Sequence, residues 1–174
     1  MSIEIRPITD LEADWPLYYA LLKALDEHHA EILSRDLRDG LETSLRHSQM
    51  RRDNAGNILR LLAVEDGAAI GTGTGRIVEG GWSRQEVIGH LSDFYIRPDR
   101  RGSTLVFRMH KLLEDWFCQR GVQAIQRETV VLNSRAIQLW RHLGYLPYIE
   151  KMTRPLVETS MTDEIAVRRV VDID

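Results

Sequence analysis

The stretch that most limits what this chain can fold into is EVIGHLSDFYIRPDRRGST together with the helix pattern behind it, residues 86–120. EVIGHLSDFYI reads as a strand that ends at Arg97-Pro98. After the basic turn RPDRRGST, apolar residues stand at Leu105, Val106, Met109, Leu112, Leu113, Trp116 and Phe117. Counted from Leu105 the offsets are one, four, seven, eight, eleven and twelve, the spacing of a helix buried along one face, with Gly121 as its stop. A strand, a short turn and a one-faced helix are the parts of an α/β layer.

The rest of the chain supplies more of these parts. IEIRPI alternates apolar and polar residues as a first strand. Leu17, Leu21, Leu22, Leu25 and Ile32 predict a helix from Trp15 to about Leu33, with Asp14 and Pro16 as start signals. A weaker helix covers Leu41 to Met50. ILRLLAVEDGAAIGTGTGRIVEG reads as two strands around the turn Glu65-Asp66-Gly67, and GGWSRQ as a loop. QAIQRETVVL is another strand, and Asn133 opens a short helix through Ala136, Leu139, Trp140 and Leu143 that stops at Gly144. YLPYIEKMTRPLV supplies one or two final strands, and residues 157–174 are a strand or a packed arm. The order β-α-α-β-β-β-α-β-α-β makes a mixed α/β sheet in a single domain over residues 1–174.

No apolar run approaches the roughly 20 residues that cross a bilayer, so a membrane role is not expected. MSIEIRPITD lacks the basic start and apolar core of a secretory signal. Cys118, the single cysteine, can form no internal disulfide, which fits a reducing compartment and makes the cytoplasm the expected location. A net charge of −3 argues against a nucleic-acid partner. Arg97, Arg100, Arg101, Arg108 and Lys111 nevertheless gather in one short segment, which suits a small anionic ligand or a solvated basic face.

The first N–H groups of a helix have no partners within it, and the helix dipole favours negative charge there. A phosphate entering at RPDRRGST would meet those donors, with Arg100 or Arg101 adding a fork that matches its oxygens. The competing use is capping by Ser103 or Thr104. Val106 stands where a capping box needs Glu or Gln, so the side chains do not visibly close this helix start.

DFYIRPDRRGSTLVFRMHKLLEDW followed by LNSRAIQLWRHLGYLPY resembles the Gcn5-related N-acetyltransferases, the GNAT superfamily. In the Arg/Gln-x-x-Gly-x-Gly/Ala pattern of that family, Arg101 takes the first position and Thr104 and Val106 take the two glycine positions. In the second pattern, Asn-x-x-Ala-x-x-Leu-Tyr-x-x-x-Gly-Phe, the chain matches at Asn133, Ala136, Leu139 and Gly144, with Trp140 in place of the tyrosine and Tyr145 in place of the phenylalanine. The resemblance spans residues 3–156 and implies a mostly antiparallel mixed sheet flanked by helices and splayed in the middle to take acetyl-CoA.

The resemblance further implies an acetyltransferase acting on a small-molecule or peptide amine. Backbone groups of Phe94, Tyr95 and Ile96 would pair with pantetheine as an added strand. Donors from Arg101, Gly102, Ser103, Thr104, Leu105 and Val106 would hold the pyrophosphate. Asn133 would meet the pantetheine arm, with Trp140 on the same cofactor-facing helix. The substrate amine would attack the thioester directly, a backbone N–H of the Phe94–Ile96 strand polarising the carbonyl. Indole is no acid, so Tyr145, Tyr148 or water would protonate the thiolate, or none is needed. Many relatives pair, which makes EIAVRRVVDID a candidate dimer contact.

Asp93 is the candidate group for receiving the ammonium and relaying its proton, or else a strand-end carboxylate that caps a turn or pairs with Arg97. His90 is a second candidate base, or a structural strand histidine. His28 and His29, beside Asp26 and Glu27, form an acceptor rim or a solvated helix end. No metal-ligand spacing appears, so no metal is expected. GTGTG at 71–75 invites a nucleotide reading but precedes no helix. The rival to an enzyme is a fold that binds CoA for regulation and does no chemistry, motivated by Trp140, Thr104 and Val106.

Overall fold

A computed structural model of the chain describes residues 2–37, 39–53, 56–79 and 87–152. Its elements are β1 (Glu4–Pro7), α1 (Leu11–Leu33), α2 (Leu41–Asp53), β2 (Ile58–Glu65), β3 (Ala68–Glu79), β4 (Val87–Ile96), a 3-10 turn (Pro98–Arg100), α3 (Leu105–Cys118), β5 (Ala124–Gln126) and α4 (Ser134–His142). The strands form one sheet in the order β1-β2-β3-β4-β5, antiparallel except for the parallel β4–β5 pair. Two compact units divide the chain. Residues up to His28 with Leu37–Glu128 carry the sheet, α2 and α3; His29–Asp36 with the residues from Thr129 carry α4.

Asp66 and Gly67 close the β2–β3 hairpin with φ of 50° and 78°. A two-residue turn with positive φ at both positions matches the right-handed twist of the strands, and Asp-Gly tolerates it. β3 then alternates sharply. Gly71, Gly73 and Gly75 face α3, while Thr72 and Thr74 face the other side, where the Thr72 hydroxyl donates to the Leu61 carbonyl at 3.0 Å. A Cβ at Gly75 would lie 2.9 Å from the Phe117 ring, and one at Gly89 of β4 would lie 2.8 Å from it. GTGTG is therefore a bare floor on which Met109, Leu113 and Phe117 of α3 rest directly on backbone.

The other face of the sheet carries α1. Its buried positions, Leu11, Asp14, Trp15, Tyr18, Leu21 and Leu22, repeat at helical spacing. Leu11, Trp15, Tyr18 and Leu22 form one core cluster with Leu45 and Met50 against it, and Leu21 joins Leu62 and Tyr95 in another.

Several expectations are corrected. α1 begins at Leu11, ahead of Trp15, because the Asp10 carboxylate accepts the Ala13 N–H at 3.0 Å and caps the first turn. Pro16 lies inside that helix. α2 runs on to Asp53. The strand expected over QAIQRETVVL is reduced to Ala124–Gln126, since only those residues find partners on β4. Residues 145–152 form no strand. The GGWSRQ loop and the 157–174 arm lie outside the described residues. α3 and α4 stop before Gly121 and Gly144 as expected. No described helix is long and apolar enough to cross a membrane.

Asp14, expected as a start signal, instead receives a fork from Arg6 of β1, at 2.8 Å and 2.6 Å. That hydrogen-bonded guanidinium, opposed by burial, holds the Asp14 carboxyl below its ordinary value of 3.8. A depressed carboxylate adds stability that is full above the ordinary value and is lost as pH falls through the lower folded-state value. The Tm of the wild-type protein should thus exceed that of Asp14→Asn at neutral pH. The two curves should converge as pH falls through the depressed folded-state value in thermal melts run across pH. A Tm gap that persists in acid would contradict the pairing.

Candidate functional site

The site is built on an irregularity in β4. Between Thr72 and Thr74 of β3 the partner changes from Tyr95 to Ser92, so Asp93 and Phe94 together oppose Gly73. This is a β-bulge, and such insertions re-aim side chains. Asp93 takes φ of 48°, a left-handed conformation that Asp tolerates better than most residues but that still costs about 1 kcal/mol. The Phe94 ring sits over Gly73, where a Cβ would come within 2.8 Å of it.

A buried polar chain surrounds the bulge. Gln49 of α2 donates through Nε2 to Asp93 Oδ2 at 3.2 Å, and the Ser92 hydroxyl donates to the same oxygen at 3.3 Å. Asp93 Oδ1 has no donor among the described residues. Arg60 of β2, 4% exposed, donates from Nε and Nη2 to Gln49 Oε1, each at 3.2 Å, and from Nη2 to the Gln49 carbonyl at 3.0 Å. Tyr18, fully buried, shares a hydrogen bond of 3.1 Å with Thr74. Burial, and secondarily the negative charge of Asp93, hold the Tyr18 hydroxyl far above its ordinary range, so it stays protonated. His90 pairs across the sheet with Arg76 and Gln126, on the face that also carries Thr74 and Ser92. Burial first and Arg76 second push its pKa below the ordinary value, which favours the neutral imidazole.

β5 pairs with β4 only from Ile88 to His90, whereas β4 runs on to Ile96. No described strand lines that edge beyond His90, so Phe94, Tyr95 and Ile96 lie where the two strands have parted. The basic turn follows at once. Arg97 is taken by Asp99, with bonds of 3.1 Å and 3.0 Å. Arg100 is committed to Glu65 at the hairpin end, at 2.7 Å, and to Asp99. Of the two arginines offered for an anion fork, Arg100 is thus occupied by carboxylates.

Arg101 is held differently. Its Nε donates to the Ile96 carbonyl at 3.1 Å and its guanidinium lies 5.6 Å from the centre of the Tyr95 ring. Its terminal nitrogens have no acceptor among the described residues. Gly102 adopts φ of 81°, turning the chain into α3. The Ser103 hydroxyl accepts the Leu105 N–H at 3.3 Å, and Thr104 makes no side-chain cap. The N–H groups of Gly102, Ser103, Thr104 and Val106 have no acceptor among the described residues. Farther along, Arg108 donates to the Ile3 carbonyl, and Lys111 is paired with Asp115 at 2.6 Å.

In the second unit, Asn133 caps α4 by accepting the Ala136 N–H at 3.1 Å, as its position before a helix suggests. Trp140 is buried, and Tyr145 meets it edge-on at 5.5 Å. Tyr148 is exposed. His28 and His29 are half-buried near the end of α1. Among the described residues no cluster of His, Cys, Asp or Glu is arranged to hold a metal ion.

Sequence reasoning missed Gln49, Arg60, Tyr18 and Thr74. Arg60 carried a signal: a charged residue inside the apolar run ILRLLAVE must be buried with partners if the strand is central. Gln49, in a weakly patterned helix, carried none.

Residues 17–145 match the family described as Acetyltransferase (GNAT) family. No curated protein matches the sequence. Among solved structures, the fold is shared with the tetramutant of the BH1408 protein from Bacillus halodurans, at TM-score 0.76 and 18% identity over 88% of this chain and 99% of that one. A predicted acetyltransferase from Clostridium acetobutylicum, crystallised with acetyl-CoA, superposes at TM-score 0.74 and 15% identity over 91% and 99% of the respective chains. An aminoglycoside 6'-N-acetyltransferase from Acinetobacter haemolyticus gives TM-score 0.69 and 18% identity over 90% and 99%. With the family match covering well over half its length and the sheet parting at the same strand that feeds the basic turn, the chain belongs to the GNAT acetyltransferase family.

Proposed function

We propose that the protein transfers the acetyl group of acetyl-CoA to a primary amine by direct attack. The observation that carries this reading is a β4 edge with no described strand beside Phe94–Ile96, leading straight into a helix start beside Arg101 where Ser103 caps the Leu105 N–H and the Gly102, Ser103, Thr104 and Val106 N–H groups find no acceptor among the described residues. Those groups fit acetyl-CoA in kind: strand-edge backbone for the amides of pantetheine, and N–H donors with a guanidinium fork for the pyrophosphate. The neighbour crystallised with acetyl-CoA supports the same assignment. When bound, acetyl-CoA supplies an activated thioester.

The residues then divide the work. Phe94, Tyr95 and Ile96 offer backbone groups to the arm, and one of their N–H groups polarises the thioester oxygen. Arg101 and the donors of Gly102, Ser103, Thr104 and Val106 hold the anionic end. Asp93 Oδ1 receives the substrate ammonium and takes up its proton directly or through water, with neutral His90 as the other acceptor on that strand. The nitrogen forms its bond to the acetyl carbon and loses its excess proton to water, the carbon–sulfur bond breaks, and Tyr145, Tyr148 or water protonates the departing thiolate. Trp140 favours one alternative, a CoA-binding module without chemistry, because indole cannot serve as the acid; amine-dependent release of free thiol from acetyl-CoA would exclude it.

Calorimetric titration of acetyl-CoA tests the cradle. Losing the Arg101 fork removes charge-assisted bonds of about 1.5–3 kcal/mol, so Arg101→Ala should weaken binding at least tenfold. Absence of heat with both proteins would overturn the reading.

A further inference from the structure

The amide of Gln49 is fixed by chemistry at both ends. Its oxygen must face Arg60, which only donates, and its nitrogen must face the Asp93 carboxylate, which accepts. Gln49 is 3% exposed, so neither contact competes with bulk water. The result is a neutral amide interposed between a buried guanidinium and a carboxylate. Arg60 anchors the amide, the amide grips Oδ2, and Oδ1 is left for a ligand.

We infer that Gln49 is a positioning residue for amine transfer: held by Arg60, it locks the bulged Asp93 in place while leaving its negative charge intact for a cationic acceptor. This rests on the proposed function. The neutral spacer matters. A cation in direct contact with Asp93 would neutralise the charge that recruits an ammonium, whereas an amide donor orients the carboxylate and leaves that charge in place. The left-handed backbone at Asp93 points the same way, since strain of that kind persists where surrounding contacts over-determine it. The network also ties α2 to the strand that bears Asp93, so the carboxylate is oriented by a contact made from outside the sheet.

Gln49→Met removes both side-chain contacts at once and leaves Arg60 the backbone carbonyl of residue 49, so it does not separate the grip on Asp93 from the anchor on Arg60. Gln49→Glu is therefore the decisive variant: it still accepts from Arg60 but turns a carboxylate toward Asp93. Thiol release from acetyl-CoA is followed with a panel of primary amines, diamines and a monoamine ester with no second cationic group among them, for wild type and Gln49→Glu. The expected result is a loss of at least tenfold in kcat/KM for the cationic amines. Half-saturation by acetyl-CoA should stay within twofold and the Tm within a few degrees, a split that a merely structural residue would not produce. Wild-type release with no effect of Gln49→Glu overturns this inference alone. An equal loss for acetyl-CoA and amine overturns it as well. No release by the wild-type protein with any amine overturns the proposed function, and this inference with it.

Discussion

Asp93→Asn should lower kcat/KM for amine acetylation about a hundredfold, the usual size of a lost proton acceptor, while acetyl-CoA binds as tightly as before. The substitution is chosen because it disturbs little else. Asparagine tolerates the left-handed backbone at this position as aspartate does, and its amide oxygen can still accept from Gln49. What disappears is the negative charge and the ability to take up a proton. Steady-state rates at varied amine, with acetyl-CoA affinity measured by calorimetry, separate the two ligands. Unchanged kcat/KM would remove Asp93 from the reaction and pass the role of base to His90 or to solvent.

The second large effect is on stability. Gly89→Val should cost about 3 kcal/mol, the upper part of the range for overpacking a core, and lower the Tm by roughly 10 °C for a chain of this size. Three atoms of the Phe117 ring lie within 3.0 Å of where a Cβ at Gly89 would stand, and that ring is 1% exposed, so it has nowhere to move. Gly89→Val combined with Phe117→Leu should recover more than half of the loss, because the smaller side chain relieves the collision. Thermal unfolding of the two single variants and the double variant measures this directly. Additive losses would mean that α3 does not lie against the sheet at Gly89.

The two sites show what a sequence can and cannot announce. The α3 repeat, the Asp66-Gly67 hairpin and the Asn133 cap were legible because each is set by neighbours within a few residues. The glycines of GTGTG were visible but their use was not, since it depends on a ring some forty positions away. The bulge left no mark, because one extra residue in VIGHLSDFYI merely slips an alternation that Ser, Asp and Phe already blur. Arg100 and Arg101 are adjacent and chemically identical. Only the fold brings Glu65 to the first and leaves the second against a carbonyl and a ring. β5 was overestimated for a related reason: its β-forming residues continue beyond Gln126, but only Ala124–Gln126 find ladder partners on β4.

That parting of β4 from β5 also bears on contacts between molecules. A strand edge with unclaimed hydrogen-bonding groups is a template for any extended peptide, whether a ligand's amides or a stray segment of another molecule. If pantetheine pairs there as proposed, self-association would use the same bonds. Under the proposed function, a ligand seated on that edge would shield the Phe94–Ile96 stretch from such pairing, a stretch that sequence could not seal without closing the site.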